Sequence, residues 1–263
     1  MGSNGISIII PVKNNPLALE SLLRSVTSTV PTEVIVVDSS SNDETVRIAK
    51  RYNCRTIKTD ANRSKARNIG AREAKFDILL FLDSDMIIEK GLLEECLEKL
   101  NSYDALIFKE ITTGTGMLST VRRFQRVGYF HSLYLESPRC IRRNIFINLG
   151  GYNERMEGFE DLELTSRILN SKCKICWAKS TINHDESSVT VLEYILKRSN
   201  YLNFGLDFKM RDAQFYSKVF SVRTRAAVIF NSAKQNGALR STLLIPGLLM
   251  ILFLDAMLMI WRR

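Results

Sequence analysis

The chain has 263 residues, of which 45% are hydrophobic and 25% are charged, and this composition is that of a folded globular protein rather than a disordered one. Its net charge of +9 is concentrated towards the C-terminal end, since residues 193–240 contain nine Lys or Arg and three Asp or Glu, whereas residues 1–192 are nearly neutral. A neutral body with a basic C-terminal segment argues against a nucleic-acid-binding domain and favours a segment that contacts anionic lipid.

The first hundred residues alternate between strand and helix patterns. Residues 6–10 are a continuous apolar run, typical of a strand buried on both faces, and residues 16–26 carry leucines at helical spacing. Ser41-Asn42-Asp43-Glu44 is a capping box, which predicts a helix that runs to about Arg51. Further strands are predicted at residues 34–37, 54–57, 76–82 and 105–108, and further helices at 64–74 and 91–100. Repeated βα units predict an α/β fold with a mainly parallel, doubly wound sheet.

The pattern changes after residue 110. Residues 111–148 are irregular and basic, a helix is predicted at 161–169, and strands are predicted at 174–177 and 181–183. Residues 189–210 form an amphipathic stretch in which Lys and Arg are interleaved with apolar residues. This stretch is either a helix packed on the body of the protein or a helix that lies in the plane of a membrane.

Residues 243–261 contain one charged residue, Asp255, and are almost entirely apolar. A helix of this length reaches about 28 Å, close to the thickness of a hydrocarbon core, and this predicts a single transmembrane helix with Trp261 and the terminal arginines at the interface. A buried core helix or an in-plane helix is the alternative, which Pro246 and Asp255 favour. The excess of basic residues before the span predicts a cell-membrane protein with a cytoplasmic body, and no signal peptide is expected.

Asp83-Ser84-Asp85 directly follows the apolar strand predicted at residues 76–82. Side chains alternate along an extended chain, so the two carboxylates lie on the same side. Like charges this close repel unless a cation lies between them, and a hard divalent ion that also holds a phosphate is the usual solution. The alternative is a solvated loop with two turn-forming acids. Asp38 also follows a strand directly, at the edge where doubly wound sheets bind nucleotides.

Read in order, these motifs resemble the family 2 glycosyltransferases of the GT-A fold, over about residues 5–190. The resemblance rests on residues 6–14 and 34–45, on Ala66-Arg67-Asn68-Ile69-Gly70 and Asp83-Ser84-Asp85, and on residues 142–143, 150–154 and 158–164. It implies a Rossmann-like mixed, mainly parallel sheet with flanking helices. It also implies transfer of a sugar from a nucleotide donor, usually with inversion.

The resemblance assigns the donor site. The nucleoside pocket would be lined by Pro11, Val12, Lys13, Asn14 and Asp38. The common pattern of the family has Asp-Asp-Gly-Ser where this chain has Asp38-Ser39-Ser40-Ser41, so the identity of the base, uridine or guanosine, is left open. Arg67 would contact the pyrophosphate, and Asp83 and Ser84 complete the predicted substrate-binding set.

The resemblance also assigns a metal site. Asp85 would bind a divalent ion directly, and Asp83 would contact the ribose, or the metal through water. His184 follows a predicted strand at a point where several relatives place a metal-binding histidine. A nitrogen ligand favours Mn²⁺ over Mg²⁺. The ion would neutralise the negative charge that builds on the departing nucleoside diphosphate.

Glu160 and Asp161 match the family's Glu-Asp pair that opens a helix, and Asp161 is the candidate general base. It would take the proton from an acceptor hydroxyl as that oxygen attacks the anomeric carbon. If the acceptor is a polyprenyl phosphate, its oxygen is already ionised, and Asp161 would position the acceptor or contribute electrostatically. The alternative for the two acids is an N-terminal capping pair.

These interpretations predict three segments: a GT-A catalytic domain over residues 1–190, basic amphipathic membrane-proximal helices over 191–240, and a transmembrane anchor over 241–263. The predicted enzyme is an inverting, metal-dependent hexosyltransferase that moves a sugar from a UDP- or GDP-linked donor to a lipid-linked or polyprenyl-phosphate acceptor at the cytoplasmic membrane face. A sugar-nucleotide pyrophosphorylase is disfavoured, because residues 11–15 contain no glycine. The remaining alternative is a membrane-anchored nucleotide-sugar-binding protein without turnover.

Overall fold

The computed structural model describes residues 4–130, 132–187, 189–202 and 204–260. The chain divides into two compact units. The first comprises Met1–Lys109 and Ser137–Asn183, and the second comprises Glu110–Glu136 and His184–Arg263. This division does not coincide with the predicted boundaries at residues 190 and 240, because residues 110–136 group with the C-terminal third of the chain.

The helices and strands follow one another in chain order. They are β1 (Ile6–Val12), α1 (Pro16–Ser25), β2 (Thr32–Asp38), α2 (Thr45–Arg51), β3 (Arg55–Lys58), α3 (Arg63–Glu73), β4 (Ile78–Phe81), β5 (Met86–Ile88), α4 (Leu92–Lys99), β6 (Ala105–Thr113), α5 (Met117–Val127), β7 (Cys140–Arg142), α6 (Arg143–Asn148), α7 (Glu160–Asn170), β8 (Ile175–Asp185), α8 (Val191–Leu202), α9 (Gly205–Arg211), α10 (Ala213–Phe220), α11 (Val222–Asn236) and α12 (Ala238–Ile260). The predicted βα alternation of the first hundred residues is confirmed.

Among the described residues, eight strands form one sheet in the order β3-β2-β1-β4-β7-β6-β8-β5. β1 runs parallel to β2 and β4, and β2 runs parallel to β3. β7 is antiparallel to both β4 and β6, so the sheet is mixed. The chain passes from β1 to β2 and β3 on one side and then to β4 on the other. The topological switch point therefore lies between β1 and β4, and ligands of such sheets bind there, beyond the carboxyl ends of the strands.

The apolar run of β1 is explained by burial on both faces. Ile8 and Ile10 pack in one cluster with leucines of α1 and α4, whereas Ile9 packs in a second cluster with Ala66 of α3. This alternation follows from the two-residue period of a strand. Gly70 lets α3 approach β1 closely, because a Cβ at this position would lie 2.5 Å from Cγ2 of Ile9.

The predicted capping box before α2 does not form. The N-cap residue is Glu44, and it makes no side-chain capping hydrogen bond. The backbone N–H of Thr45 donates instead to Oδ1 of Asp43 at 3.0 Å. Oγ of Ser41, the predicted cap, accepts a hydrogen bond of 2.8 Å from the backbone N–H of Asn14. The Ser41 hydroxyl, which the local pattern assigned to the helix cap, thus bonds instead to a residue 27 positions away in sequence.

The second unit has a helical core of its own. Val121 and Phe124 of α5 form a buried cluster with Tyr194 of α8 and with Leu248 and Ile251 of α12. α5 lies in the segment predicted to be irregular. The prediction of an irregular segment was wrong here, although Leu118, Val121 and Phe124 recur at helical spacing and pack on the inner side of this helix.

α12 contains most of the stretch that was predicted to cross a membrane, residues 243–261. No helix in the part of the chain that the structure describes has both the length and the apolar character needed for a membrane span, so the predicted anchor is not supported. One side of α12 packs within the second unit, where Leu248 is 0% and Ile251 is 1% exposed. The predicted interface residues Trp261, Arg262 and Arg263 lie outside the described residues.

Candidate functional site

The loops after β1 and β2 are tied together by hydrogen bonds. Asn14 has a φ of +49°, and its Oδ1 accepts a bond of 3.0 Å from the backbone N–H of Asn42. The backbone N–H of Asn15 donates to Oγ1 of Thr45 at 3.1 Å. These bonds hold the carboxyl ends of the two strands in a fixed relation.

Four predicted nucleoside-pocket residues lie along this edge. Pro11 and Val12 are buried in β1, whereas Lys13 and Asn14 are exposed in the loop that follows. Only Lys13 and Asn14 therefore present exposed side chains to a ligand. A contact from Pro11 or Val12 would have to come mainly from the backbone.

Asp38, the fifth predicted nucleoside contact, is the last residue of β2 and is 1% exposed. Its two carboxylate oxygens accept from the backbone N–H of Ser41 at 3.3 and 3.1 Å. The neighbouring Ser39, which stands where the family usually has a second acid, donates from Oγ to the carbonyl of Ala61 at 2.9 Å. The buried carboxylate of Asp38 thus fixes the conformation of the loop after β2 through these hydrogen bonds.

Asp83-Ser84-Asp85 follows β4 at the switch point. Oγ of Ser84 accepts from Nδ2 of Asn15 at 3.0 Å, which joins this loop to the one after β1. Oδ1 of Asp83 lies 2.6 Å from Nη2 of Arg67, and Oδ2 lies 3.5 Å from Nη1 of Arg139. Asp83 and Asp85 are both partly exposed. Sequence reasoning missed Arg139, because a single arginine outside any motif gives no signal.

Arg67 lies completely buried among three carboxylates. Its Nη1 is 3.2 Å from Oε1 of Glu160 and 3.1 Å from Oδ1 of Asp161, and its Nη2 contacts Asp83. The guanidinium carbon is 5.0 Å from the ring centroid of Tyr152. Burial acts to lower the pKa of Arg67, but the charges of Asp83 and Asp161 in particular outweigh it, and the pKa is raised well above its ordinary value. The guanidinium is therefore a permanent cation in the cluster.

These partners differ from those that the sequence predicted for Arg67. The predicted partner was a pyrophosphate, yet the side chain is 1% exposed and both terminal nitrogens bond to carboxylates. The geometry fits a cation that holds three acids in place. Direct contact between Arg67 and the donor stays a prediction.

Glu160 and Asp161 open α7 and have different surroundings. Phe159 precedes them with a φ of +61°, a left-handed conformation that turns the chain into the helix. The side chain of Glu160 is 2% exposed and lies 2.6 Å from Nη2 of Arg63 as well as beside Arg67. The side chain of Asp161 is 31% exposed. Glu160 is thus a buried counter-ion, and Asp161 is the acid of the pair that can meet a ligand.

α3 also holds the segment that leads into α7. Nδ2 of Asn68 donates to the carbonyl of Tyr152 at 2.8 Å. Oδ1 of Asn68 accepts from the backbone N–H of Tyr152, also at 2.8 Å. Oγ of Ser64 donates to the carbonyl of Met156 at 2.6 Å. Gly151 has a φ of +69°, and a Cβ there would lie 2.6 Å from Oδ1 of Asn68. Residues of the Ala-Arg-Asn-x-Gly motif therefore contact residues of the Gly-Gly-Tyr-Asn-Glu motif directly.

His184, the predicted nitrogen ligand, belongs to the second unit. Its Nδ1 lies 3.4 Å from Nη2 of Arg126 and 3.8 Å from Oε2 of Glu110. Nη1 of Arg126 lies 2.6 Å from the same Glu110 oxygen and 3.7 Å from Oε2 of Glu136. Sequence reasoning missed Glu110, Arg126 and Glu136, which lie in no motif. The role of His184 in metal binding stays a prediction.

The acids of the Asp83 loop fit a metal that is shared with a substrate. Within the described ranges, no group of three or more His, Cys, Asp or Glu side chains is arranged to hold an ion. Mg²⁺ is commonly bound by one or two carboxylates together with substrate phosphates and water. Asp83 has two guanidinium partners, and direct coordination of the ion by Asp85 stays a prediction.

Comparison with known protein sequences identifies a family. Residues 7–155, more than half of the chain, match the family described as Glycosyl transferase family 2. The O-antigen chain rhamnosyltransferase WbaN of Salmonella anatum is 26% identical over 181 residues, which cover 60% of this chain and 58% of that protein. The poly(ribitol-phosphate) β-N-acetylglucosaminyltransferase TarP of Staphylococcus aureus is 32% identical over 124 residues, which cover 42% of this chain and 38% of TarP. The matched segments thus span about half of these relatives or less.

Solved structures share the fold. The mannosyltransferase PcManGT from Pyrobaculum calidifontis, in complex with GDP-Man and Mn²⁺, matches with a TM-score of 0.61 at 16% identity, over 98% of this chain and 87% of that one. S. aureus TarS 1-349 in complex with UDP matches with a TM-score of 0.60 at 20% identity, over 97% of this chain and 89% of that one. The expected GT-A-like mixed α/β architecture is confirmed.

Proposed function

The chain belongs to glycosyl transferase family 2, and from this premise we propose that it is an inverting glycosyltransferase with a UDP- or GDP-linked sugar donor. The observation that carries the proposal is the cluster of Asp83, Glu160 and Asp161 around the buried Arg67. It lies beyond the carboxyl end of β4, beside the switch point where open α/β sheets bind ligands. Two of its acids, Asp83 and Asp161, are partly exposed there, at 19% and 31%.

The donor would bind along the loops after β1, β2 and β4. We assign the nucleoside to Lys13, Asn14 and Asp38, with the backbone of Pro11 and Val12. Asp85 would hold a divalent ion, Mn²⁺ or Mg²⁺, with Asp83 and Ser84 beside it. A metal-binding role for His184 is proposed separately, from the family resemblance alone. When bound, the ion neutralises the charge that develops on the departing nucleoside diphosphate. The complex of PcManGT with GDP-Man and Mn²⁺ supports this assignment.

Asp161 is the proposed general base. The acceptor oxygen bonds to the anomeric carbon from the face opposite the leaving group, and the bond from that carbon to the donor phosphate breaks. The hydroxyl proton passes to Asp161 as the nucleoside diphosphate leaves. Arg67, 3.1 Å from Oδ1 of Asp161, would hold the carboxylate in position, and Glu160 would balance the charge of Arg67 from the buried side.

The proposed acceptor is lipid-linked and lies at the cytoplasmic face of the cell membrane. The basic segment 193–240 and the exposed apolar side chains on α8, α9, α11 and α12 support a membrane-proximal acceptor. The names of WbaN and TarP, which describe transferases for an O-antigen chain and for poly(ribitol-phosphate), support an acceptor of cell-surface glycan synthesis. If the attacking oxygen belongs to a phosphate, Asp161 positions it rather than deprotonating it.

A donor screen tests the proposal. Release of nucleoside diphosphate from UDP- and GDP-sugars would be followed with Mn²⁺, Mg²⁺ or a chelator, with and without a polyprenyl phosphate. We expect metal-dependent release from one donor, increased by the lipid, and we expect Asp85→Asn to abolish it. Asp77→Asn is the matched control, because this exposed acid lies just before the other end of β4. Nucleotide binding without release under any condition would overturn the transferase proposal and favour a binding protein without turnover.

A further inference from the structure

α12 is apolar on its outer side as well as its inner side. Leu243, Leu249, Met250 and Phe253 are 77%, 49%, 54% and 63% exposed. Their spacing places them on one side of the helix, opposite the buried Leu248 and its neighbours. A surface helix ordinarily carries polar residues on its outer side, and exposed apolar patches of this kind mark interaction surfaces.

α11 packs on α12 within the second unit and adds both apolar and basic side chains. Val222 and Phe230 are 86% and 68% exposed, and Arg223 and Lys234 are exposed on the same helix. The chain between Asp212 and Asp255 contains five Lys or Arg and no acidic residue. Both helices therefore expose apolar side chains, and α11 exposes cations beside them.

We propose that this surface binds an anionic lipid bilayer, with α11 and α12 lying along the membrane plane. We name it the apolar–basic surface; it consists of Val222, Arg223, Phe230, Lys234, Leu243, Leu249, Met250 and Phe253. The apolar side chains would enter the boundary between headgroups and acyl chains, while the cations meet lipid phosphates. The proposal rests on the proposed function for its link to a lipid-linked acceptor, but binding to a bilayer requires no turnover.

Charge favours a bilayer over the other occupants of such a surface. In a two-fold dimer the same patch meets itself, so the interface would bring together the cations of both copies with no acid from the segment to compensate them. A nucleic acid would satisfy the cations through its phosphates, but it would leave the aliphatic side chains of α12 without an apolar partner. An anionic bilayer supplies both kinds of partner.

Vesicle sedimentation with the purified full chain tests the proposal, in the absence of donor and acceptor. Vesicles of phosphatidylcholine alone would be compared with vesicles that also contain phosphatidylglycerol, at low and high salt. We expect binding that requires the anionic lipid and weakens with salt. Phe253→Glu should weaken this binding by about tenfold, since one apolar side chain is lost from the bilayer contact. Replacing both Arg223 and Lys234 by Gln should weaken it by about tenfold or more.

Leu17→Glu is the matched control. Leu17 is 78% exposed on α1, in the first unit, so its replacement should leave vesicle binding unchanged. Equal binding of the wild-type chain to both kinds of vesicle, or undiminished binding by a folded Phe253→Glu variant, would overturn the proposal. So would a dimer that Phe253→Glu dissociates, observed by light scattering without vesicle binding. Vesicle binding without sugar transfer would contradict only the proposed function.

Discussion

The buried Arg67 in the first unit and the partly buried Arg126 in the second each lie among carboxylates, yet the two clusters differ in how far their acids reach the surface. In the first cluster, Asp83 is 19% and Asp161 is 31% exposed. In the second, the side chains of Glu110 and Glu136 are 5% and 3% exposed. In both, burial acts to lower the pKa of the arginine and the carboxylates raise it by more.

The difference separates a cluster whose acids can meet a ligand from one whose acids are enclosed. Removing one partner of a buried ion pair is costly, so each arginine fixes the acids around it. Where those acids are partly exposed, the fixed carboxylates can meet a substrate. Where they are enclosed, as Glu136 is, the same chemistry joins β6, α5 and the segment after α5 without offering a group to solvent.

The largest difference between the clusters is expected in catalysis. Asp161→Asn should lower kcat by about 10²–10⁴-fold with a hydroxyl acceptor, because the proton of the attacking oxygen loses its base. Glu136→Gln, in the enclosed cluster, should change kcat far less. Initial rates of nucleoside diphosphate release measure both variants. A rate for Asp161→Asn within a few-fold of wild type on a hydroxyl acceptor would remove Asp161 from the role of base.

Replacing the arginine of either cluster should lower the free energy of unfolding by a similar amount. Arg67→Met and Arg126→Met should each lower the free energy of unfolding by about 3–5 kcal/mol, because each removes the cation that several carboxylates share. Urea unfolding measures the change. Adding Glu160→Gln to Arg67→Met should recover little of the loss, because Glu160 keeps Arg63 as a partner 2.6 Å away. Wild-type stability of Arg67→Met would show that the three carboxylates do not depend on this cation.

Replacing Asn68 tests whether the position of Asp161 depends on the segment around Tyr152, which α3 holds by hydrogen bonds. Asn68→Ala should cost about 1–3 kcal/mol, because the buried N–H and C=O of Tyr152 lose their partners. Activity should fall as well, since this segment leads to Asp161. Ser21→Ala, on the exposed side of α1, should change stability by about 0.5 kcal/mol or less. Reduced stability with unchanged activity would mean that the position of Asp161 is set elsewhere.

The smallest expected effect concerns Glu95, a carboxylate held mainly by backbone N–H groups rather than by an arginine. Its oxygens accept from the backbone N–H groups of Lys179 and Ser180 at 2.8 and 2.9 Å. Burial acts to raise the pKa of Glu95, but these bonds outweigh it, and the pKa is lowered below its ordinary value of 4.5. A lowered folded-state pKa stabilises the protein above the ordinary value, and that contribution is lost as the pH falls through the folded-state pKa.

Urea unfolding of the wild-type chain and of Glu95→Gln between about pH 7 and pH 3 measures this contribution. We expect the stability difference between the two chains to shrink as the solution is acidified below the ordinary value. A difference that stays constant over this range would show that the hydrogen bonds to Glu95 do not depend on its charge.

Much of the first unit could be predicted because its signals are local. The apolar run of β1 and the leucine stripe of α1 depend only on side-chain periodicity, and both elements formed where the pattern placed them. Local signals failed where a distant group competed for the same atom, as Asn14 does for the hydroxyl of Ser41. α5 was missed for another reason, since its apolar residues do recur at helical spacing and the signal was overlooked in a segment rich in arginine.

The candidate site, too, could be predicted from the sequence only in part. The motifs identified Arg67, Asp83, Glu160 and Asp161 one by one, because each lies in a characteristic run of neighbours. They did not indicate that these side chains bond to one another, since contacts across 16 to 94 residues have no short-range pattern. Arg139, Glu110 and Arg126 lie outside any motif, so only their positions in space connect them with the predicted residues.

The sequence by itself determined the order of strands and helices in the first hundred residues apart from the short β5, the family and the candidate acids, because periodicity and short motifs act over a few residues. Tertiary structure alone decided that Arg67 is enclosed by carboxylates, that Asp161 rather than Glu160 reaches the surface, and that the apolar C-terminal stretch packs one side within the second unit. These outcomes depend on which distant groups compete for one cation or cover one helix face. That competition is resolved only when the whole chain has folded.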